Sequence, residues 1–164
     1  MNLPKRKPTR LANFDYSTNG TYFITICTYN RKRFFGNIVG QGLAPAENRL
    51  SIYGQIAEEQ LLLLENRYQN IKIDKYVIMP NHIHIIISIN NTAGASPRPT
   101  ISNIICTYKS LTSRICRQNG LKSKLFQSSF YDHIIRNEQD YNEIWQYIEN
   151  NPQKWSEDRF YSTE

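Results

Sequence analysis

The chain has 164 residues and a formal charge of +6, from 20 lysines and arginines against 14 aspartates and glutamates. Its length suits one domain over 1–164, with a basic N-terminal segment at 1–20 and a tail at 152–164. Three cysteines without a C-x-x-C spacing exclude a disulfide framework and a thiolate zinc site, and no apolar run is long enough for a secretory leader or membrane span, so a cytoplasmic protein is expected.

Thr21–Tyr29, TYFITICTY, is β-branched and aromatic behind an Asn19-Gly20 turn signal and predicts a first strand. Asn37–Asn48, with its glycines and Pro45, reads as a loop. From Leu50 to about Tyr68, the apolar residues Ile52, Ile56, Leu61, Leu63 and Leu64 recur among Glu and Gln and predict a helix. Ile71–Met79 and His82–Ile89 read as two strands joined by a tight turn at Pro80-Asn81. Asn90–Pro99 is a loop, and the spacing of Ile101, Ile104, Ile105, Tyr108, Leu111, Thr112 and Ile115 predicts an amphipathic helix ended by Asn119-Gly120. After a basic loop, Phe130–Ile135 reads as a fourth strand and Glu138–Asn151 as a last helix stopped by Pro152. This order is the α+β, ferredoxin-like βαββαβ plan, an antiparallel sheet with helices on one face, followed by an added C-terminal helix.

Basic charge is segregated. Met1–Gly36 holds Lys5, Arg6, Lys7, Arg10, Arg31, Lys32 and Arg33 against Asp15, while Lys75–Tyr131 has no acidic residue at all. Such segregation implies a positive surface for a polyanion, nucleic acid above all. Arg31, Lys32, Arg33, Lys109, Arg114, Arg117, Lys122 and Lys124 suit phosphates. Tyr29, Phe34, Phe35 and Tyr108 can stack on unpaired bases, although aromatics of this kind more often fill a core.

The stretch MPNHIHIII sets His82 and His84 on one side of a strand and Ile83, Ile85, Ile87 and Ile89 on the other. The isoleucines suit the core beneath the helices. The opposite face, open or half-exposed, then presents two imidazoles about 7 Å apart along the strand, a spacing from which both can lean onto one divalent cation. A mixed histidine and oxygen site suits Mg²⁺ or Mn²⁺ where phosphate is the substrate. On the last helix, Tyr147 and Asn151 stand one turn apart beside the apolar stripe of Tyr141, Ile144, Trp145 and Ile148. A phenol attacks phosphorus once its proton is removed, and an amide oxygen can complete a metal site. By spacing alone Tyr147 is one of 11 tyrosines, and Asn151 serves equally as a helix cap. His133, next to Asp132, reads as a structural residue of the fourth strand.

Three segments together resemble the single-tyrosine transposases of the His-hydrophobe-His superfamily, and most closely the REP-associated tyrosine transposases: YVIMPNHIHIII, FYDHIIRNEQDYNEIWQYIENNPQKW, and an N-terminal strand followed by RKRFFG. The resemblance covers nearly the whole chain. It implies that His82, His84 and Asn151 bind Mg²⁺ or Mn²⁺, and that Tyr147 cleaves single-stranded DNA. The product implied is a 5′-phosphotyrosine and a free 3′-hydroxyl, rejoined by the reverse step. No ATP is then needed, in keeping with the lack of a GxxxxGK[ST] phosphate loop. The implied substrate is a hairpin-forming repeat with a flanking single-stranded guide, and the resemblance favours a monomer over a dimer. The rival expectation is a non-catalytic nucleic-acid-binding or regulatory module, since ferredoxin-like sheets also bind RNA through aromatics on an open face.

Overall fold

A computed structural model describes residues 19–40, 46–91 and 99–162. The expected loop at Asn90–Pro99 and the basic N-terminal segment fall mostly outside those residues. Strand β1 (Gly20–Cys27) leads through a 3₁₀ turn at Tyr29–Arg31 into β2 (Gly36–Val39) and β3 (Glu47–Leu50). Helices α1 (Ile52–Leu62) and α2 (Leu64–Arg67) follow, then β4 (Ile71–Met79), β5 (His82–Ile89), α3 (Ile101–Gln118), β6 (Tyr131–Ile135) and α4 (Glu138–Asn150). The main sheet has the order β4-β5-β1-β6, and the pairings β1 with β5, β1 with β6 and β4 with β5 are all antiparallel. That is the βαββαβ arrangement expected from the sequence.

Helices α1, α3 and α4 each begin on a polar side chain that accepts from an otherwise unpaired backbone N–H. Ser51 Oγ accepts from Gly54 N at 3.1 Å, Thr100 Oγ1 from Asn103 N at 3.2 Å, and Asn137 Oδ1 from Asp140 N at 2.8 Å. Strand alternation does the rest. Tyr22, Ile24 and Ile26 of β1 and Ile83, Ile85 and Ile87 of β5 are wholly buried in one cluster with Ile104, Ile105 and Tyr108 of α3 and Ala57 and Leu61 of α1. Each such isoleucine contributes about 2 kcal/mol by leaving water.

Three local readings differ. The segment expected to be a loop at Asn37–Asn48 contains an antiparallel hairpin, with Gly36 opposite Leu50 and Val39 opposite Glu47. Gly36 sits at φ +143° against the Arg49 carbonyl, where a side chain would be strained and would collide with backbone. The helix expected to run unbroken to Tyr68 is divided at Leu63, whose N–H bonds to Glu59 O at 3.0 Å. In β4 the register slips between Ile73 and Lys75, leaving Asp74 as an extra residue in the strand.

The largest departure concerns the sheet face that carries the histidines. It is neither open nor half-exposed, because α4 and the tail beyond Pro152 cover it, and His82 and His84 are both 0 % exposed. Trp155 and Phe160, buried at 3 % and 2 %, seal it, their ring centroids 5.9 Å and 4.7 Å from that of His82. Of the four aromatics considered for base stacking, Phe35 and Tyr108 are wholly buried, Phe34 packs against the core and Tyr29 is 39 % exposed.

Candidate active site

Register along β1 and β5 sets the two imidazoles. Thr25 lies opposite His84, and its Oγ1 is 2.8 Å from His84 Nδ1. Asn81, in the turn before β5, places Oδ1 2.8 Å from His82 Nδ1. An Nδ1–H donated to Asn81 leaves the His82 Nε2 lone pair free, and that atom is buried without a hydrogen-bond partner. The ring centroids are 4.5 Å apart. Burial pulls the His82 pKa down to about 4 and holds His84 well below its ordinary value, with His82 and Arg159 adding to the second effect. Both rings are therefore neutral near pH 7, the form in which imidazole binds a metal.

Helix α4 crosses β4 and β5 on this face and is tied there by Lys75, whose ammonium lies 3.4 Å from Glu149 and 4.7 Å from the Trp145 ring centroid. Tyr147 is thereby held with its hydroxyl 3.2 Å from His84 Nε2, its ring against His84 and edge-on to Phe23. Burial, with Asp158 next, raises the Tyr147 pKa, so the phenol keeps its proton until something takes it. Asn151, one turn on, stays helical at φ −58° and ψ −43° in spite of Pro152. It is 3 % exposed, and its Nδ2 donates to Asp158 Oδ2 at 2.9 Å. The amide lies close enough to polarise the His82 ring, yet Asn151 Oδ1, like His82 Nε2, makes no hydrogen bond of acceptable geometry.

Two buried acceptors left without donors are costly unless a cation completes them. His82, His84 and Asn151 therefore fit the divalent ion expected from the sequence. Sequence reasoning missed Asp158, whose carboxylate lies with both imidazoles in a group whose ligand atoms are all within 4.8 Å of one another. It is seven residues past Asn151, just after a 3₁₀ turn (Trp155–Glu157) beyond a proline, where no periodicity could place it. The sequence marks Asn81 only as a turn residue, although its position beside His82 is a signal for this role. A cleft of about 550 Å³ opens at Tyr147, Asn151 and Asp158, with Lys154 and Arg159 in its lining.

The eight basic residues expected to meet phosphate do not act alike. Arg31 Nη1 donates to Arg159 O at 3.2 Å, and Arg33 bonds the Ser162 carbonyl with its guanidinium over the Trp155 and Tyr161 rings. These two hold the tail, while Lys32 is exposed. Lys109 is half-buried in the lining of a second groove, but its ammonium is taken up by the Gln127, Ser128 and Ser129 carbonyls at 2.6, 3.1 and 3.4 Å. Arg117, Lys122 and Lys124 line the same groove, of about 620 Å³ beside α3, and Arg114 is exposed on α3 outside that lining. His133 pairs with Asp140 at 2.8 Å rather than with its neighbour Asp132.

A family model described as IS200-like transposase matches residues 17–151. The chain belongs to the IS200-like transposase family. This transposase chain is 33 % identical over 172 residues to an uncharacterised protein of Haemophilus influenzae, an alignment covering 95 % of this chain and 93 % of that one. Its fold is that of a solved REP-associated tyrosine transposase bound to a REP hairpin, with a TM-score of 0.64, 23 % identity, and coverage of 88 % of this chain and 73 % of the other. The resemblance read from the three motifs is borne out. Among the described residues no helix is long and apolar enough to cross a membrane.

Proposed function

We propose that this IS200-like transposase is a metal-dependent single-stranded DNA endonuclease and strand transferase that works through a covalent 5′-phosphotyrosine on hairpin-forming repeats. The observation that carries the reading is the Tyr147 hydroxyl 3.2 Å from His84 Nε2, beside two unsatisfied ligand atoms. His82, His84 and Asn151 would hold Mg²⁺ or Mn²⁺, which when bound supplies neutralising charge at the non-bridging phosphate oxygens. The Tyr147 oxygen forms a bond to phosphorus, the bond from phosphorus to the 3′-oxygen breaks, and the phenolic proton ends on the departing hydroxyl. Asp158 Oδ2, 3.5 Å from the Tyr147 hydroxyl, is within reach of that proton, whereas His84 Nε2, with Nδ1 engaged by Thr25, is the nitrogen that would hold the metal. Bond energy is conserved in the phosphotyrosine, so rejoining needs no nucleotide.

Nucleophile and imidazoles come from one chain, which supports action as a monomer. The hairpin substrate rests on family membership, on the likeness to a hairpin-bound transposase and on the Arg117, Lys122 and Lys124 groove, which suits a phosphate backbone. Incubation with single-stranded hairpins and Mn²⁺, followed by a denaturing gel, is expected to give a protein–DNA adduct. Tyr147→Phe should lose that adduct and keep hairpin affinity within about two-fold. An adduct persisting in Tyr147→Phe would move the nucleophile elsewhere, and its absence from the wild type would favour a non-catalytic nucleic-acid-binding module.

A further inference from the structure

The geometry points to Asp158 as a further, anionic ligand of the same cation, delivered by the tail, so that metal binding and tail docking are one coupled equilibrium. This rests on the cation site proposed above and adds a residue from outside α4 and the sheet.

The two carboxylate oxygens of Asp158 have different partners. Oδ1 is held by the Phe160 N–H at 2.6 Å, which fixes the plane of the group on the tail's own backbone. Oδ2 is turned inward, 2.9 Å from Asn151 Nδ2 and 3.5 Å from the Tyr147 hydroxyl. A ligand atom of this carboxylate lies within 4.8 Å of one on each of His82 and His84, and among the described residues no other trio of His, Cys, Asp or Glu is grouped so closely. The imidazoles are neutral and Asn151 is an amide, so Asp158 is the group of this set able to supply a formal negative charge against a dication, a composition that suits Mn²⁺. Because Asn151 donates through Nδ2 to Asp158, its unpartnered Oδ1 is the atom left to face a cation. The tail is aligned independently of any ion. Asn81 Nδ2 donates to Phe160 O at 2.8 Å while Asn81 Oδ1 holds His82 Nδ1, so one side chain registers the tail against the first histidine. An ion bound by both sheet and tail must tighten the tail, and a docked tail must raise ion affinity by the same factor.

The test uses the full chain without DNA. Mn²⁺ is titrated and the free aquo-ion followed by electron paramagnetic resonance, in wild type, Asp158→Asn and Arg33→Ala. Asp158→Asn keeps the size of the group but not its charge, and is expected to weaken Mn²⁺ about ten-fold or more. Arg33→Ala loosens the tail at its other anchor without touching the ligand set. At saturating Co²⁺, the visible absorption bands of Arg33→Ala should overlay those of the wild type, and those of Asp158→Asn should shift. Mn²⁺ should also slow tryptic cleavage at Lys154 and Arg159 in the wild type and not in Asp158→Asn. Wild-type Mn²⁺ affinity in Asp158→Asn, or an unshifted Co²⁺ spectrum, would overturn the assignment while leaving the adduct chemistry of Tyr147 standing. Failure of the wild type to bind Mn²⁺ at all would remove both.

Discussion

A histidine that is neutral in the fold and protonated when unfolded makes acid costly, and His82 and His84 are both of this kind. Burial sets the His82 pKa at about 4 against an ordinary 6.5 and puts His84 well below its own 6.5. Between those values the unfolded chain binds more protons than the folded one, so stability is fully present above about pH 6.5 and lost as pH falls towards 4. In metal-free protein the loss should reach up to about 1.4 kcal/mol per pH unit for each histidine. Melting temperature measured in EDTA across that range should fall with acid, and replacing both histidines by glutamine should flatten the dependence. A wild-type profile already flat from pH 6.5 to 4 would contradict the buried neutral pair. Bound metal should steepen the same profile, since the ion competes with protons for the imidazoles.

At the level of elements, α1 is jointed closely to the segment that leads into β2. Ser51 N bonds the Phe35 carbonyl at 2.8 Å and Ser51 Oγ the Phe34 carbonyl at 2.5 Å, and a Cβ on Gly54 would be driven into the Phe35 carbonyl oxygen. Gly54→Ala, normally helix-favouring, should here lower stability by about 2–4 kcal/mol in urea unfolding, because backbone cannot yield as a side chain can. An unchanged midpoint would mean that the joint relaxes. The joint was invisible in the sequence, where Gly54 is merely a glycine inside a helical pattern. Alternation made β5 legible, since a strand with isoleucine at every second position has one face to bury and must aim His82 and His84 together. Periodicity likewise placed Tyr147 beside Asn151. The hairpin of β2 and β3 was hidden because four-residue strands flanked by glycine carry little pattern, and its anchoring contact, Asn48 Nδ2 on the Ile78 carbonyl, is thirty positions away along the chain. Trp155, Asp158 and Phe160 were hidden for a related reason: past Pro152 the chain follows no regular period, so only tertiary contacts decide that it folds back over the histidines.

For the whole molecule, positive charge is divided by task. Arg31, Arg33 and Lys109 hold the chain to itself through backbone carbonyls, whereas Arg117 and Lys122, with Lys124 on Ser128 Oγ and the Tyr29 ring, line the groove and face a polyanion. If the groove beside α3 takes the stem of a hairpin, Lys122→Ala with Lys124→Ala should reduce the salt dependence of binding by about 2 released ions, at about 0.9 per phosphate contact. Lys109→Met should leave that slope unchanged and lower stability instead, as filter binding over a salt series and thermal melts would tell apart. Equal slopes in all three proteins would place the stem on another surface. The sheet itself ends at β4 on one side, and the extra residue there has a use beyond geometry. Asp74 accepts from Ser88 Oγ at 2.6 Å and pairs with Lys72 at 3.3 Å, so the outermost strand is bent and carries opposite charges at its kink. A foreign strand seeking to extend the sheet would meet a broken ladder and would have to strip water from the exposed Lys72 ammonium, so that border discourages amyloid-like growth of one copy upon another.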